Sequence, residues 1–267
     1  SGFDWVSYYN FYAHGGYLYY FAWNKENGLS MSFEPGYLCR VPVSGGKEET
    51  LAEYKTGSEH IVCVVGNTVI TASGNNISSY DISKKKITEI FNAEKSGFRL
   101  IFAETSYYYD GKLYFLAEKD MPSVVEAEEG FRESWKTPDD YLIALDIKTK
   151  KWEKAVDDPV SLFCVTEDRI YYVKKKYRLI PITEFALSIN DVLTVYGDSS
   201  ICSQPIGGGD EQVHYTNEKI SYNEIFSIKN GKLCGKINSP TETEYDYSIK
   251  FATIDFSTGN ITEFDMP

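Results

Sequence analysis

No apolar run in this chain approaches the roughly 18 residues that would carry a helix across a bilayer. Basic residues are in the minority: 27 lysines and arginines stand against 39 aspartates and glutamates, a net charge of −12. That balance leaves no basic stripe to meet phosphates and argues against a nucleic-acid partner. Histidine is scarce, with only His14, His60 and His214. No His-x-x-x-His or Cys-x-x-Cys occurs, so zinc sites of the common kinds are not expected and no metal is predicted. Neither a Gly-x-Ser-x-Gly elbow nor a Gly-x-x-x-x-Gly-Lys-Ser/Thr loop is present, and nothing in the spacing suggests a Ser-His-Asp triad. Long segments of helical periodicity are missing as well. Cysteine is sparse and odd in number, at 5.

Aromatic residues are plentiful: Tyr 22, Phe 15 and Trp 4. They suit pleated, half-buried surfaces. A two-part pattern recurs five times along the chain. Its first half is a turn residue followed by an apolar strand, as at Gly16-Tyr17-Leu18-Tyr19, Asn67-Thr68-Val69-Ile70, Gly111-Lys112-Leu113-Tyr114, Asp168-Arg169-Ile170-Tyr171 and Gly231-Lys232-Leu233-Cys234. Its second half is a hairpin beginning at Pro42-Val43, Asp81-Ile82, Asp146-Ile147, Pro205-Ile206 and Asp255-Phe256. Gly, Asn and Asp recur before the strand because they tolerate positive φ in a tight turn.

Repetition at this spacing signals a propeller or a solenoid. Each module reads as four antiparallel strands, A to D, and such units suit the blades of a β-propeller. The expected fold is therefore all-β: a five-bladed propeller in a single domain, 1–267, with blades near 4–54, 58–92, 98–155, 159–215 and 220–264. Strand A is expected at Trp5–Tyr12, His60–Val65, Leu100–Glu104, Val160–Val165 and Tyr222–Ile228. Cys39 and Cys202 each lie three residues before a hairpin proline, and Cys63 and Cys164 each lie six residues before an aligned apolar position. Cys234 fills the slot of Tyr19, Ile70, Tyr114 and Tyr171. Cysteines on repeat-equivalent slots read as small core residues in different modules, so five free thiols are expected.

The A–B and C–D connections are short in nearly every module. The B–C connections are long, at roughly 21–36, 116–140, 173–200 and 236–249, and only the second module keeps its own tight. In a four-stranded blade these connections leave by one face, and function concentrates in variable loops on a rigid scaffold. The long-loop face is therefore the expected binding face. Trp23, Phe131, Trp135, Tyr141 and Tyr196 lie in or beside these loops, where aromatic rings stack on sugars or anchor protein partners. Their other reading is that they fold back and pack the loops onto the blades. The stretch Pro181–Asn190 is expected to form a short helix, and the acidic clusters at 126–129 and 242–244 read as solvated loop charge.

The segments Tyr141 to Lys150 and Pro42 to Lys47 resemble repeats of bacterial extracytoplasmic propellers of unknown function, a family likened to the propeller of low-density-lipoprotein receptors. Pyrroloquinoline-quinone-type repeats are similar in the C–D hairpin alone. The receptor-type Tyr-Trp-Thr-Asp tetrad is absent, with Leu18-Tyr19-Tyr20-Phe21 in its place, and Lys151-Trp152 and Asn260-Ile261 replace the quinone-type Gly-Trp. The resemblance implies a secreted or envelope-anchored propeller without a quinone; no cofactor is expected. The start at Ser1-Gly2 fits a processed chain whose targeting segment has been removed.

Two functions follow as expectations. The first is a non-enzymatic, monomeric binding module of the extracellular space or cell envelope, engaging a protein or carbohydrate through the long-loop face. The second is a glycoside hydrolase with carboxylates in the central funnel, for which Asp4, Glu59, Glu104, Asp158 and Glu224 stand near strand A.

Overall fold

The computed structural model describes residues 5–6, 11–23, 35–55, 58–100, 106–119, 123–125, 134–136, 139–174, 180–181, 199–217, 221–240 and 247–264. Five antiparallel sheets follow one another along the chain. The first holds β1 (Trp5–Val6), β2 (Tyr12–His14), β3 (Tyr17–Trp23), β4 (Gly36–Pro42) and β5 (Glu49–Tyr54), with β1 and β2 both on β3. The second orders β6 (His60–Val65), β7 (Thr68–Ser73), β8 (Asn76–Asp81) and β9 (Lys86–Asn92). The third holds β10 (Arg99–Leu100), β11 (Tyr107–Tyr109), β12 (Lys112–Lys119), β15 (Asp139–Asp146) and β16 (Trp152–Lys154). Between β12 and β15 run β13 (Ser123–Val125) and β14 (Ser134–Lys136), which belong to a separate small sheet. The fourth sheet orders β17 (Val160–Val165), β18 (Arg169–Lys174), β20 (Ser199–Pro205) and β21 (Gln212–Asn217), and β19 (Ile180–Pro181) leaves it for the small sheet. The fifth orders β22 (Ser221–Lys229), β23 (Lys232–Pro240), β24 (Tyr247–Asp255) and β25 (Ile261–Phe264).

This is the all-β, five-bladed β-propeller class that the repeat predicts. The strand A expectations coincide with β6 and β17 at both ends. In the first and third sheets the described parts of strand A are β1 with β2 and β10 with β11, where β2 runs on to His14 and β11 lies beyond the predicted end at Glu104; residues 7–10 and 101–105 lie outside the described residues. The chain divides into two compact units, 1–111 with 145–151, and 112–144 with 152–267.

One backbone bond recurs in every sheet. The residue after the hairpin Pro or Asp donates its N–H to the carbonyl of the turn residue before strand B: Val43 to Gly16 (3.0 Å), Ile82 to Asn67 (3.0 Å), Ile147 to Gly111 (3.2 Å), Ile206 to Asp168 (3.1 Å) and Phe256 to Gly231 (2.8 Å). The two halves of the sequence pattern are thus partners in space. The hairpins themselves fall into two chemical classes. In sheets two, three and five the Asp carboxylate accepts from amides in its own turn, as Asp146 Oδ1 does from Lys148 (2.9 Å) and Thr149 (2.7 Å). Lys85, Lys150 and Gly259, each four residues after that Asp, take positive φ of 52°, 62° and 70°. In sheets one and four a Pro replaces the Asp, and its carbonyl accepts from Gly45 (2.9 Å) or Gly208 (3.1 Å). A Cβ on Gly209 would lie 3.3 Å from the Pro205 ring, and φ there is 132°, so glycine lets the turn close on the proline.

In the first three sheets strand B is buried on both faces. In β3 every residue from Tyr19 to Trp23 is buried. Tyr19, Phe21 and Trp23 pack with Leu38 and Tyr54 of their own sheet and with Ile61, Val64, Val69 and Tyr80 of the second. Tyr20, Ala22 and Cys39 form a cluster of their own. A strand sandwiched this way reads as a continuous apolar run rather than an alternation. The core tyrosines satisfy their hydroxyls. Tyr80 donates to the Leu51 carbonyl, and Tyr54 Oη lies 3.4 Å from Thr71 Oγ1.

All five cysteines are free. Cys39, Cys63, Cys164 and Cys202 are buried as the repeat slots predict, but Cys234 is exposed. Its slot in the fifth sheet is not a core slot. Burial pushes the Cys39 and Cys63 thiols up to about 12 and Cys202 up to about 11, so little thiolate is present at neutral pH. Iodoacetamide at neutral pH is therefore expected to label Cys234 alone in the native protein, and all five thiols after denaturation. Comparable native labelling of Cys39 or Cys63 would contradict this packing. Phe21→Ala empties a fully buried site, and a loss of about 3–5 kcal/mol is expected in denaturant melts.

Candidate binding face

The B–C connection of the second sheet is the tight turn at Gly74, with φ 53°, between Ser73 and Asn76. The other B–C connections carry most of the residues outside the described set, but β13, β14 and β19 fall within them. Both β13 and β14 belong to the third sheet's connection and pair antiparallel, with Val124 opposite Trp135 and Val125 opposite Ser134. From the fourth sheet's connection, β19 pairs with the other side of β14, placing Trp135 opposite Ile180 and Ser134 opposite Pro181. Two excursions from consecutive sheets are therefore tied together by a shared ladder with Trp135 on its central strand. Pro181 lacks an N–H and suits the end of an edge strand. The expected helix from Pro181 to Asn190 begins instead in this strand, and its remainder lies outside the described residues.

The other aromatic candidates divide. Trp23 closes β3 and is 6% exposed, packed among Phe21, Tyr54 and Ile61, so its place is the core rather than an open loop. Its indole Nε1 has no acceptor among the described residues. Tyr141 is half-buried on β15, and Lys154 Nζ lies 3.4 Å from its ring centroid, a cation–π contact. Phe131 and Tyr196 lie outside the described residues.

Of the carboxylates named from sequence, Asp4 and Glu104 lie outside the described residues. Glu59 is half-buried just before β6. Burial, with the Glu59 charge adding, holds the Tyr54 phenol up at about 12. The backbone of Glu224 in β22 stands opposite Lys236. Asp158 is exposed and ion-paired to Lys174 at 2.7 Å, and the same ammonium holds Glu211 at 2.7 Å. Burial alone would lower the Lys174 ammonium, but bonds to the two carboxylates outweigh it and raise it.

That cluster exposes a relation the sequence reading missed. The Tyr172 hydroxyl donates to Glu211, and Tyr172 pairs across the sheet with Cys202. In the first sheet the Tyr20 hydroxyl donates to Glu48, and Tyr20 pairs with Cys39. Burial and the carboxylate raise both phenols. Glu48 and Glu211 each stand six residues after the hairpin proline, a spacing legible in the sequence once the outer strand is considered.

Ser203 and His214, which no motif singled out, also meet. Arg169 Nε donates to Ser203 Oγ at 2.8 Å, and Ser203 Oγ lies 2.7 Å from His214 Nε2. Ser203 is 0% exposed, so it has no route to a substrate and the network is structural. The His214 ring stacks on Phe256 with centroids 5.1 Å apart and tilts against Tyr171 at 5.4 Å.

A cleft of about 110 Å³ lies at the opposite, short-turn end of the third and fourth sheets. Its lining includes Lys112, Tyr114, Glu153, Lys154, Gly207 and Gly208. Ligand pockets usually measure about 300–1,000 Å³. This one is smaller, and Lys112 pairs with Glu153 at 2.7 Å beside it. Among the described residues no group of His, Cys, Asp and Glu gathers to hold a metal, and no helix is long and apolar enough to cross a membrane.

No protein-family model and no curated protein matches the chain. Solved structures do. The chain is similar to the N-terminal domain of Nup159, with TM-score 0.55 and 13% identity over 95% of this chain and 60% of that one. It is similar also to a chain in the S. cerevisiae complex of Dbp5 with Nup159, Gle1, IP6 and ADP, with TM-score 0.51 and 14% identity over 88% of this chain and 59% of that one. A further likeness is to TolB from Acinetobacter baumannii, with TM-score 0.44 and 11% identity over 93% of this chain and 52% of that one. The chain spans only about three-fifths of the length of the first two. These neighbours are β-propeller proteins, and the likeness supports the propeller fold. It extends neither to the receptor-type family nor to a bacterial origin.

Burial, with the Arg169 charge adding, holds the His214 imidazolium below the usual 6.5. The unfolded chain therefore takes up this proton first. The stability His214 contributes is complete above pH 6.5 and is lost as pH falls below it. An NMR titration of the imidazole carbons is expected to give a midpoint below 6.5, and Arg169→Ala is expected to move it upward. A midpoint above 6.5 would contradict the assignment.

Proposed function

We propose that the chain acts as one propeller domain, 1–267, that binds a protein or carbohydrate partner without chemistry, as a monomer in the extracellular space or cell envelope. The binding side is the one from which the long B–C connections leave. The observation that carries this reading is the β13–β14–β19 ladder, which joins the excursions of two consecutive sheets into one structured feature. Backbone pairing of this kind holds a loop surface in shape, and a preformed surface loses less entropy on binding. Trp135 and Tyr141 are its proposed contacts, with Phe131 and Tyr196 on the same connections; Trp23 serves packing. The presence of Nup159 in a complex with Dbp5 supports a protein-binding role for a propeller of this shape. The glycosidase reading draws no comparable support: Asp158 is exposed and held by Lys174, which also binds Glu211, and Asp4 and Glu104 lie outside the described residues.

The test replaces residues 126–133 with a Gly-Ser segment of equal length and, separately, makes Trp135→Ala. Binding is read on a glycan array and by cross-linking to envelope proteins. Both variants are expected to melt as the parent does and to lose binding, by about 30-fold or more for Trp135→Ala if it is a central anchor. Undiminished binding would overturn the assigned face. Hydrolysis of a chromogenic glycoside that disappears in Asp158→Asn would overturn the absence of chemistry.

A further inference from the structure

The C–D hairpins of the second and third sheets carry Lys84, Lys85 and Lys86, and Lys148, Lys150 and Lys151. All six are exposed. Both hairpins fall in the same compact unit. They are neighbours there, because Lys150 Nζ donates to the Glu89 carbonyl on β9 at 3.0 Å. Segments 81–95 and 146–151 together hold seven lysines and four carboxylates, a charge of +3 in a chain of −12, so the remaining residues carry −15. Lys84 is paired with Asp81 at 3.0 Å, but Lys85, Lys86, Lys148 and Lys151 have no ion pair among the described residues. An acidic chain has thus gathered unpaired positive charge onto two adjacent turn tips.

The geometry points to these tips as a docking surface for an anionic phospholipid membrane, made of residues other than those proposed above for partner binding. Three observations select that partner. First, the two segments contain no arginine. Lysine is a hydrated point charge, suited to a diffuse field, whereas one carboxylate or phosphate group in fixed geometry favours the arginine fork. Second, the tips are held by their own turns. The Asp81 and Asp146 carboxylates accept from amides within each hairpin, so the four unpaired ammonium groups are presented on rigid supports rather than on a disordered tail. Third, Ile87 follows Lys86 and is 40% exposed, an apolar side chain beside the charge, as interfacial surfaces carry. The −15 of the remainder is repelled by the same surface, so approach is oriented with the hairpins leading.

The test is co-sedimentation with vesicles of phosphatidylcholine alone and with about 30% phosphatidylglycerol, at about 0.05 M and 0.5 M salt. Wild-type protein is expected on the anionic vesicles at low salt only. Each unpaired lysine near the surface is worth about fivefold, so Lys85→Gln, Lys86→Gln, Lys148→Gln and Lys151→Gln together should weaken binding at least about 100-fold. The same four positions changed to Arg should retain it. Four other exposed lysines, Lys47, Lys55, Lys119 and Lys229, changed to Gln should have little effect. Failure of wild-type protein to bind anionic vesicles, equal binding by the hairpin Gln variant, or capture of the hairpins by soluble polyglutamate but not by vesicles would each overturn the proposal.

Discussion

A single amide-to-carbonyl bond per sheet organises the molecule. The residue that follows each hairpin Pro or Asp reaches back to the turn before strand B, and this happens in all five sheets. The bond fixes the register of strands B and C, since Tyr17 then faces Pro42, Thr68 faces Asp81, Arg169 faces Pro205 and Lys232 faces Asp255. A slip of one residue would turn every side chain of strand B to the other face. In β3 both faces are buried, and a slip would exchange Phe21 and Trp23 with Tyr20 and Ala22 between clusters of different volume. Register and core packing are thus one constraint. The turn residues satisfy it locally, through positive φ at Gly16 and Gly231 and through the Asp carboxylates of three hairpins.

Polar groups follow the same economy. In sheets one and four a strand B phenol reaches a carboxylate just before the outer strand. In the fourth sheet Lys174 adds an ammonium shared by Asp158 and Glu211, and Arg169 donates to Ser203, whose hydroxyl also meets His214. Buried polar groups are costly when unpaired, and here the inner strands lean on the outer ones for partners. The Ser203–His214 pair shows why proximity alone does not make a catalytic site. The oxygen is buried and already accepts from a guanidinium.

The sequence made the architecture legible because the repeat lies in turns, and turn chemistry is local. Glycine at positive φ and Asp accepting from its own hairpin need no distant partner, so β6 and β17 coincide with their predicted bounds. Where the outcome depended on distant partners, the sequence was less informative. Cys234 occupies a core slot by alignment yet is exposed, because the slot's burial depends on what covers it. Trp23 sits beside a long connection by position, but its packing partners include Ile61 and Val64 of the next sheet, which no local pattern announces. The pairing of Trp135 with Ile180 joins residues 45 positions apart and leaves no periodic trace. The outer-strand acids Glu48 and Glu211 had a regular spacing, but their meaning depended on knowing that a phenol lay opposite.

Sheets one and four share a proline-headed turn, a Tyr–Cys cross-strand pair and an acceptor for the buried phenol, while sheets two, three and five share an aspartate-headed turn. The units are therefore not interchangeable parts. Transplanting the fourth hairpin with its outer strand into the first position carries the acid along with the turn. Taking the corresponding piece from the second would leave the Tyr20 hydroxyl with nothing to donate to, because position 87, the sixth after Asp81, is an isoleucine. Kinship between modules runs by turn chemistry rather than by adjacency along the chain.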